Sequence, residues 1–179
     1  MFTQLLAKSS ARKAAERLYA AAAAQARAPA LYADMGAPDT VEGRFELLTL
    51  HVILLIDRLK DGPPEAAAVR QILFDVYVSN LDGALREMGV GDLTVGKRMR
   101  KLGGAFYGRA RACEAAFSAL PDARPLEEAL ARTVFGAATD AKPEALAAYV
   151  QRGRDSLAGR DVQAMIAGAP PWTSPGLAA

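Results

Sequence analysis

This chain has little of the side-chain chemistry on which most enzymes and metalloproteins depend. One cysteine and one histidine among 179 residues exclude a disulfide framework, a thiolate-rich metal site and a histidine cluster. They also leave most histidine-dependent triads without a base. Long apolar runs are missing too. The most apolar window, Phe45 to Ile56, is interrupted by Glu46 and His51 and bounded by Arg44, Asp57 and Arg58. A spanning helix needs about 20 largely apolar residues, so this window predicts a buried helix. The formal charge is only +2, which does not mark a nucleic-acid binder. Period-2 alternation is nearly absent, which argues against sheets. The apolar fraction of 51% is inflated by 39 alanines, yet a chain of this length buries a core without covalent staples.

What is present is helical. Residues 1–28 lack the basic-then-apolar order of a secretory signal. With Lys8, Arg12, Lys13, Arg17 and Arg27 against Glu16 alone, they have the composition of a transit peptide. The preferred reading is an ordinary first helix over 3–27, anchored by Leu5, Leu6, Leu18 and Tyr19 and ending before Pro29. After a connector, Asp39 and Glu42 have the spacing of an N-terminal capping box, opening a helix that runs to Asp61-Gly62. Pro63 and Pro64 start the next helix, where a missing backbone donor costs little. It runs to Met88, with Gly89 as its stop. Phe74, Val78, Leu81, Leu85 and Met88 give it a wide apolar face: either a central helix or one with a side left open for a ligand. A further helix over 93–120 carries the stripe Val95, Met99, Leu102, Phe106, Cys113 and Phe117. Weaker signals follow over 121–168, namely 125–135, 143–157 and a turn after Asp161, and then an irregular tail over 169–179. The expected fold is all-α: one domain over 1–179, a bundle of about six to seven helices.

Chemistry-bearing patterns are few. Gly91 to Arg98 reads G-x-x-x-x-G-K-R, but a phosphate loop needs Ser or Thr after the lysine and a strand before the glycine. Lys97, Arg98, Arg100 and Lys101, extended by Arg109 and Arg111, form a basic stretch with no acid between Leu93 and Cys113. It is either a solvated face or a surface that attracts anions. His51 has no second ligand at metal spacing and reads as a hydrogen-bonded interior histidine. Cys113 reads as a small apolar residue. No catalytic residue and no metal ligand set is expected.

Two longer strings carry a resemblance. One is Pro38-Asp39-Thr40-Val41-Glu42-Gly43-Arg44-Phe45, continuing to His51; the other is Gly91-Asp92-Leu93-Thr94-Val95-Gly96-Lys97-Arg98, continuing to Gly108-Arg109. Together, over about residues 31–117, they resemble the ubiquinol–cytochrome c chaperone family. The resemblance implies an all-helical, non-enzymatic assembly factor without a cofactor, whose client is newly made cytochrome b of the bc1 complex. It also implies a small assembly partner or the ribosome as contacts; the basic residues add an anionic membrane surface, with no nucleic-acid sequence read. The implied location is the cytoplasm, peripheral on the inner membrane, or the matrix side in a eukaryote; the Ala-rich chain has the look of a bacterial member. Family-motif positions are Pro38, Asp39, Thr40, Gly43, Arg44, Phe45, His51, Gly91, Asp92 and Gly96, with Arg44 expected to anchor a helix start electrostatically. For that role Phe74, Tyr77, Val78, Phe106 and Tyr107 are expected either to line a client groove or to be core. Lys97, Arg98, Lys101 and Arg109 are expected to rim the groove or face anionic lipid. The alternative function is a membrane-surface or ribosome-associated helical adaptor.

Overall fold

The computed structural model of the protein describes residues 2–89, 91–138 and 141–172. Among them the secondary structure is helical, with no strand. The elements are α1 (Phe2–Gln25), α2 (Pro29–Ala33), α3 (Val41–Lys60), α4 (Pro64–Glu87), α5 (Asp92–Ser118), α6 (Arg124–Leu130), a π-helical turn (Ala131–Phe135), α7 (Pro143–Ala158) and α8 (Val162–Ala167). The all-α expectation holds. The connector after residue 28 contains the short α2, and the stretch expected over 125–135 is α6 running into the π-helical turn. Residues 173–179 of the expected tail, like Val90, lie outside the described residues.

The start of α3 differs from expectation by one residue. Thr40, not Asp39, is the N-cap: its backbone is extended and its hydroxyl accepts a hydrogen bond from Gly43 N at 3.1 Å. Thr satisfies one of the helix's orphan donors there. Asp39, one step outside, is left free to hold Arg44. At the other end of the helical hairpin, α4 stops where Gly89 takes φ +80°. Its N–H and that of Met88 close back on the last carbonyls of α4, a conformation that glycine adopts without strain.

The centre of the bundle is α3. Leu47, Leu50, Val52, Ile53, Leu54, Leu55 and Leu59 are all buried, because this helix packs against α1, α4, α5, the π-helical turn and α7. A helix that is apolar all round must be covered all round, which is why most of the Phe45–Ile56 window is core, with Phe45, Leu48 and Ile56 only half-buried. Against it, α1 offers small side chains (Ala14, Ala15 and Ala22, all buried), and these permit a close approach to α4. The wide face of α4 has a split fate. Val69, Leu73, Val76 and Tyr77 are buried, whereas Leu81 and Leu85 in its last turns are only half-buried and Met88 is exposed. The helix is thus covered in its first turns and left open on one side at its end.

The C-terminal helices are tied on by arginines that satisfy orphan carbonyls. Arg58 donates to Leu157 O at 2.8 Å and Arg160 O at 2.7 Å, at the end of α7. Arg17 donates to Ile166 O at 2.9 Å, in the last turn of α8. Trp172 is buried with its ring edge-on to His51, centroids 5.8 Å apart.

Candidate functional site

Where α4 loses its cover, the bundle opens into a cavity of about 700 Å³. Its floor is apolar: Phe45 and Leu48 from the first turns of α3, Leu81 and Leu85 from the end of α4, and Leu102 and Ala105 from α5. Ala23 of α1, Ala26 just after it and Tyr32 of α2 close the opposite side. Val41 and Met88 stand at the mouth, 62% and 56% exposed. Large apolar side chains left in water at the rim of a concave apolar site are a signature of a binding groove.

The rim is basic, and its cations fall into two groups. Arg109 makes a two-pronged ion pair with Glu46 of α3, and its guanidinium lies over the Phe45 ring, 5.6 Å from the centroid. Arg44 pairs with Asp39 and lies 5.8 Å from the Tyr32 centroid. That hydrogen bond holds the Asp39 carboxyl below its ordinary range. Both arginines brace the groove end. Arg98 and Lys101 are exposed and have no ion-pair partner among the described residues. Arg27, in the turn after α1, donates to Ala23 O in the last turn of that helix. The basic stretch of α5 is thus neutralised across helices at Arg109 and open at Arg98 and Lys101. Lys97 is exposed but lies outside the groove lining.

The aromatic set expected at the site sits elsewhere. Tyr77 and Phe106 are interior, at 1% and 3% exposure. Phe74 and Val78 are half-buried. Phe74 packs on Phe106 at 5.0 Å and on Tyr107 at 5.5 Å between centroids. Only Tyr107, at 56% exposure, faces water, and none of the five lines the groove. Tyr77 donates or accepts one hydrogen bond with Thr49 at 2.8 Å, and burial pushes its hydroxyl up to about 12. The residues missed as lining are Leu81, Leu85, Met88 and Leu102, whose apolar stripes were visible; that the stripes outrun their partners was not.

The motif positions divide by role. Pro38, Thr40 and Gly43 form the α3 cap, and a Cβ on Gly43 would fall directly on the Pro38 carbonyl oxygen. Arg44 and Phe45 line the groove. Gly91 is the N-cap of α5, its carbonyl accepting from Thr94 and Val95 N–H groups. Gly96 faces open space. The side chain of Asp92 lies outside the described residues. The near-phosphate-loop string forms the opening turns of α5 and follows a helix, α4, rather than a strand.

His51 is interior. Its Nδ1–H donates to Leu47 O at 2.7 Å, and its Nε2 accepts from the Tyr149 hydroxyl at 2.7 Å. The carbonyl can only accept, which fixes the tautomer. Gln25 Nε2 donates to the same hydroxyl at 3.1 Å. Burial lowers the His51 pKa to about 4 and pushes the Cys113 thiol up to about 11, so at neutral pH the imidazole is uncharged and the thiol protonated. Among the described residues no group of three or more His, Cys, Asp or Glu side chains has metal-site geometry. No described helix is long and apolar enough to cross a membrane.

Fold and groove together define an all-helical protein with an open, cation-rimmed apolar cleft. Residues 33–172 match the family model described as ubiquinol–cytochrome C chaperone, and the chain belongs to that family. The match extends well past residue 117, so α6, α7 and α8 are part of the family's structure. The chain is also similar to the crystal structure of the Cbp3 homolog from Brucella abortus, with 37% sequence identity, a TM-score of 0.84 and full coverage of both chains. A search of curated proteins gives no match.

Proposed function

We propose that this protein is a non-enzymatic assembly chaperone of the cytochrome bc1 complex that holds newly made cytochrome b in the α1–α3–α4–α5 groove. The observation that carries this reading is an open apolar cleft in a member of the ubiquinol–cytochrome c chaperone family. A subunit awaiting assembly exposes apolar surface that water disfavours by about 25 cal/mol per Å². A cleft of this size covers one segment of such a client rather than enclosing it, a helix-in-groove mode. The protein then works peripherally at the membrane that receives the client.

The test is photo-crosslinking in cells from positions 85 and 102 in the groove, with position 107 on the outer face as comparison. Capture of cytochrome b from the groove positions, together with reduced assembled cytochrome b in a deletion strain, is the expected result. Normal bc1 levels in the deletion strain would remove the reading.

A second reading, an adaptor on an anionic membrane or ribosome surface, is favoured by the outer face of α5. Lys97, Arg100 and Arg111 are exposed there, interleaved with Gly96, Gly104 and Gly108, beside which a Cβ would meet nothing within 4 Å. Such a face suits a broad anionic surface better than a compact ligand.

A further inference from the structure

We infer that the groove takes an amphipathic helix whose apolar face is bordered by carboxylates, and therefore a water-facing segment of the client rather than a membrane-spanning one; this deepens, and rests on, the reading of the groove as the client site. Three features of the walls define that occupant.

The first is the backbone of the walls. The groove is walled mainly by α1, α3, α4 and α5, whose main-chain groups are consumed within each helix, and no described residue forms a strand edge to which a peptide could add. An extended chain laid on this floor would leave buried N–H and C=O groups without partners. A helix brings its own hydrogen bonds with it.

The second is the floor. Phe45, Leu48, Leu81, Leu85 and Leu102 present a concave apolar strip suited to side chains at i, i+3, i+4 and i+7. Met88 at the mouth is exposed and adapts its shape to the guest.

The third is the rim. Arg44 and Arg109 are committed to Asp39 and Glu46. Among the described residues, Arg27, Arg98 and Lys101 hold no carboxylate, and Glu42 is the one acid in the lining. A uniformly apolar helix would strip water from these cations and return nothing. A basic amphipathic helix would be repelled. Carboxylates along the edges of the guest's apolar face meet the three cations and set its register.

The experiment uses the full chain and fluorescent synthetic peptides of roughly five helical turns. One carries leucines on one face flanked by glutamates; its twin carries lysines in their place; a scrambled peptide and phosphatidylglycerol vesicles complete the set. The glutamate peptide is expected to bind at least about tenfold more tightly than the lysine twin, with affinity falling as salt rises. Arg98→Glu with Lys101→Glu is expected to weaken the glutamate peptide about tenfold and reverse the preference, with native circular dichroism confirming the fold. Arg98→Gln with Lys101→Gln serves if the reversal unfolds the protein, and is expected to erase the preference. Equal binding of both peptides, an unchanged preference in a folded variant, or binding of vesicles alone overturns the inference. Crosslinking of cytochrome b to the groove without charge-selective peptide binding overturns this inference and leaves the client reading standing. Charge-selective binding without the crosslink supports the groove chemistry and removes the client reading.

Discussion

Two single residues show how much of this molecule rests on local chemistry. His51 is neutral in the folded chain because burial lowers its pKa to about 4, whereas an unfolded histidine titrates near 6.5. Below that value the unfolded state binds a proton that the folded state refuses. Its contribution to stability is therefore complete above about pH 6.5 and is lost as pH falls toward about 4, by up to about 3 kcal/mol. Urea unfolding midpoints measured across that window are expected to fall in the natural chain and to fall less in His51→Gln. A glutamine amide has the donor and acceptor needed to replace the His51 bonds to Leu47 O and Tyr149, so assembly activity is expected to survive; complete loss in a folded product would assign His51 a role beyond packing. Gly43 is the opposite case, a residue needed for what it lacks. With the Pro38 carbonyl where a Cβ would sit, Gly43→Ala is expected to cost about 2–3 kcal/mol and to disturb the Thr40 cap and the Arg44–Asp39 pair together. Thermal unfolding measures the first, and crosslinking yield from position 85 the second.

At the level of the element, α5 is the informative helix. It contains Gly96, Gly103, Gly104 and Gly108, and a Cβ at any of them meets nothing within 4 Å. Packing within the protein does not require them, although interior helical glycine costs about 1 kcal/mol relative to alanine. Gly96→Ala, Gly104→Ala and Gly108→Ala are each expected to raise stability by about 0.5–1 kcal/mol, read as a higher melting temperature. Where bc1 assembly falls as stability rises, the outer α5 face is a contact surface. Full activity in the triple variant counts against the adaptor reading. The inner face of the same helix does the opposite work, sending Val95, Phe106, Cys113 and Phe117 into the core and Leu102 and Ala105 into the groove.

The whole molecule has one feature that no element has alone, the cleft of about 700 Å³ between four helices. An environment-sensitive apolar dye should bind there while near-ultraviolet circular dichroism stays native, which separates a built groove from a loosened core. Ala105→Trp is expected to fill part of the cavity, lowering dye emission and client crosslinking several-fold with stability within about 1 kcal/mol of the natural chain. Unchanged dye binding in that variant would place the dye, and the apolar surface it reports, outside the groove.

Much of this was readable in advance because it depends on neighbours along the chain. The helices and their stops followed from Pro29, Pro63-Pro64, Gly89 and the 3.6-residue stripes; the burial of α3 followed from an apolar run too short to span a membrane. The P-D-T-x-x-G-R-F string marked the helix start that braces the groove, with the cap displaced by one residue because Thr40 and Asp39 both suit the position and only the folded turn assigns them. The site itself was not readable. An apolar stripe on a helix states that a face wants cover, not whether another helix arrives to supply it. Tyr77 and Phe106 found that cover, whereas Leu81, Leu85 and Leu102 are only half-buried and line the cleft that Ala23 of α1 and Tyr32 of α2 face across. Likewise Glu46, 63 residues before Arg109 in the chain, became its partner only when α3 and α5 met. Short-range periodicity and capping determined the helices; long-range packing decided which of their faces stayed open.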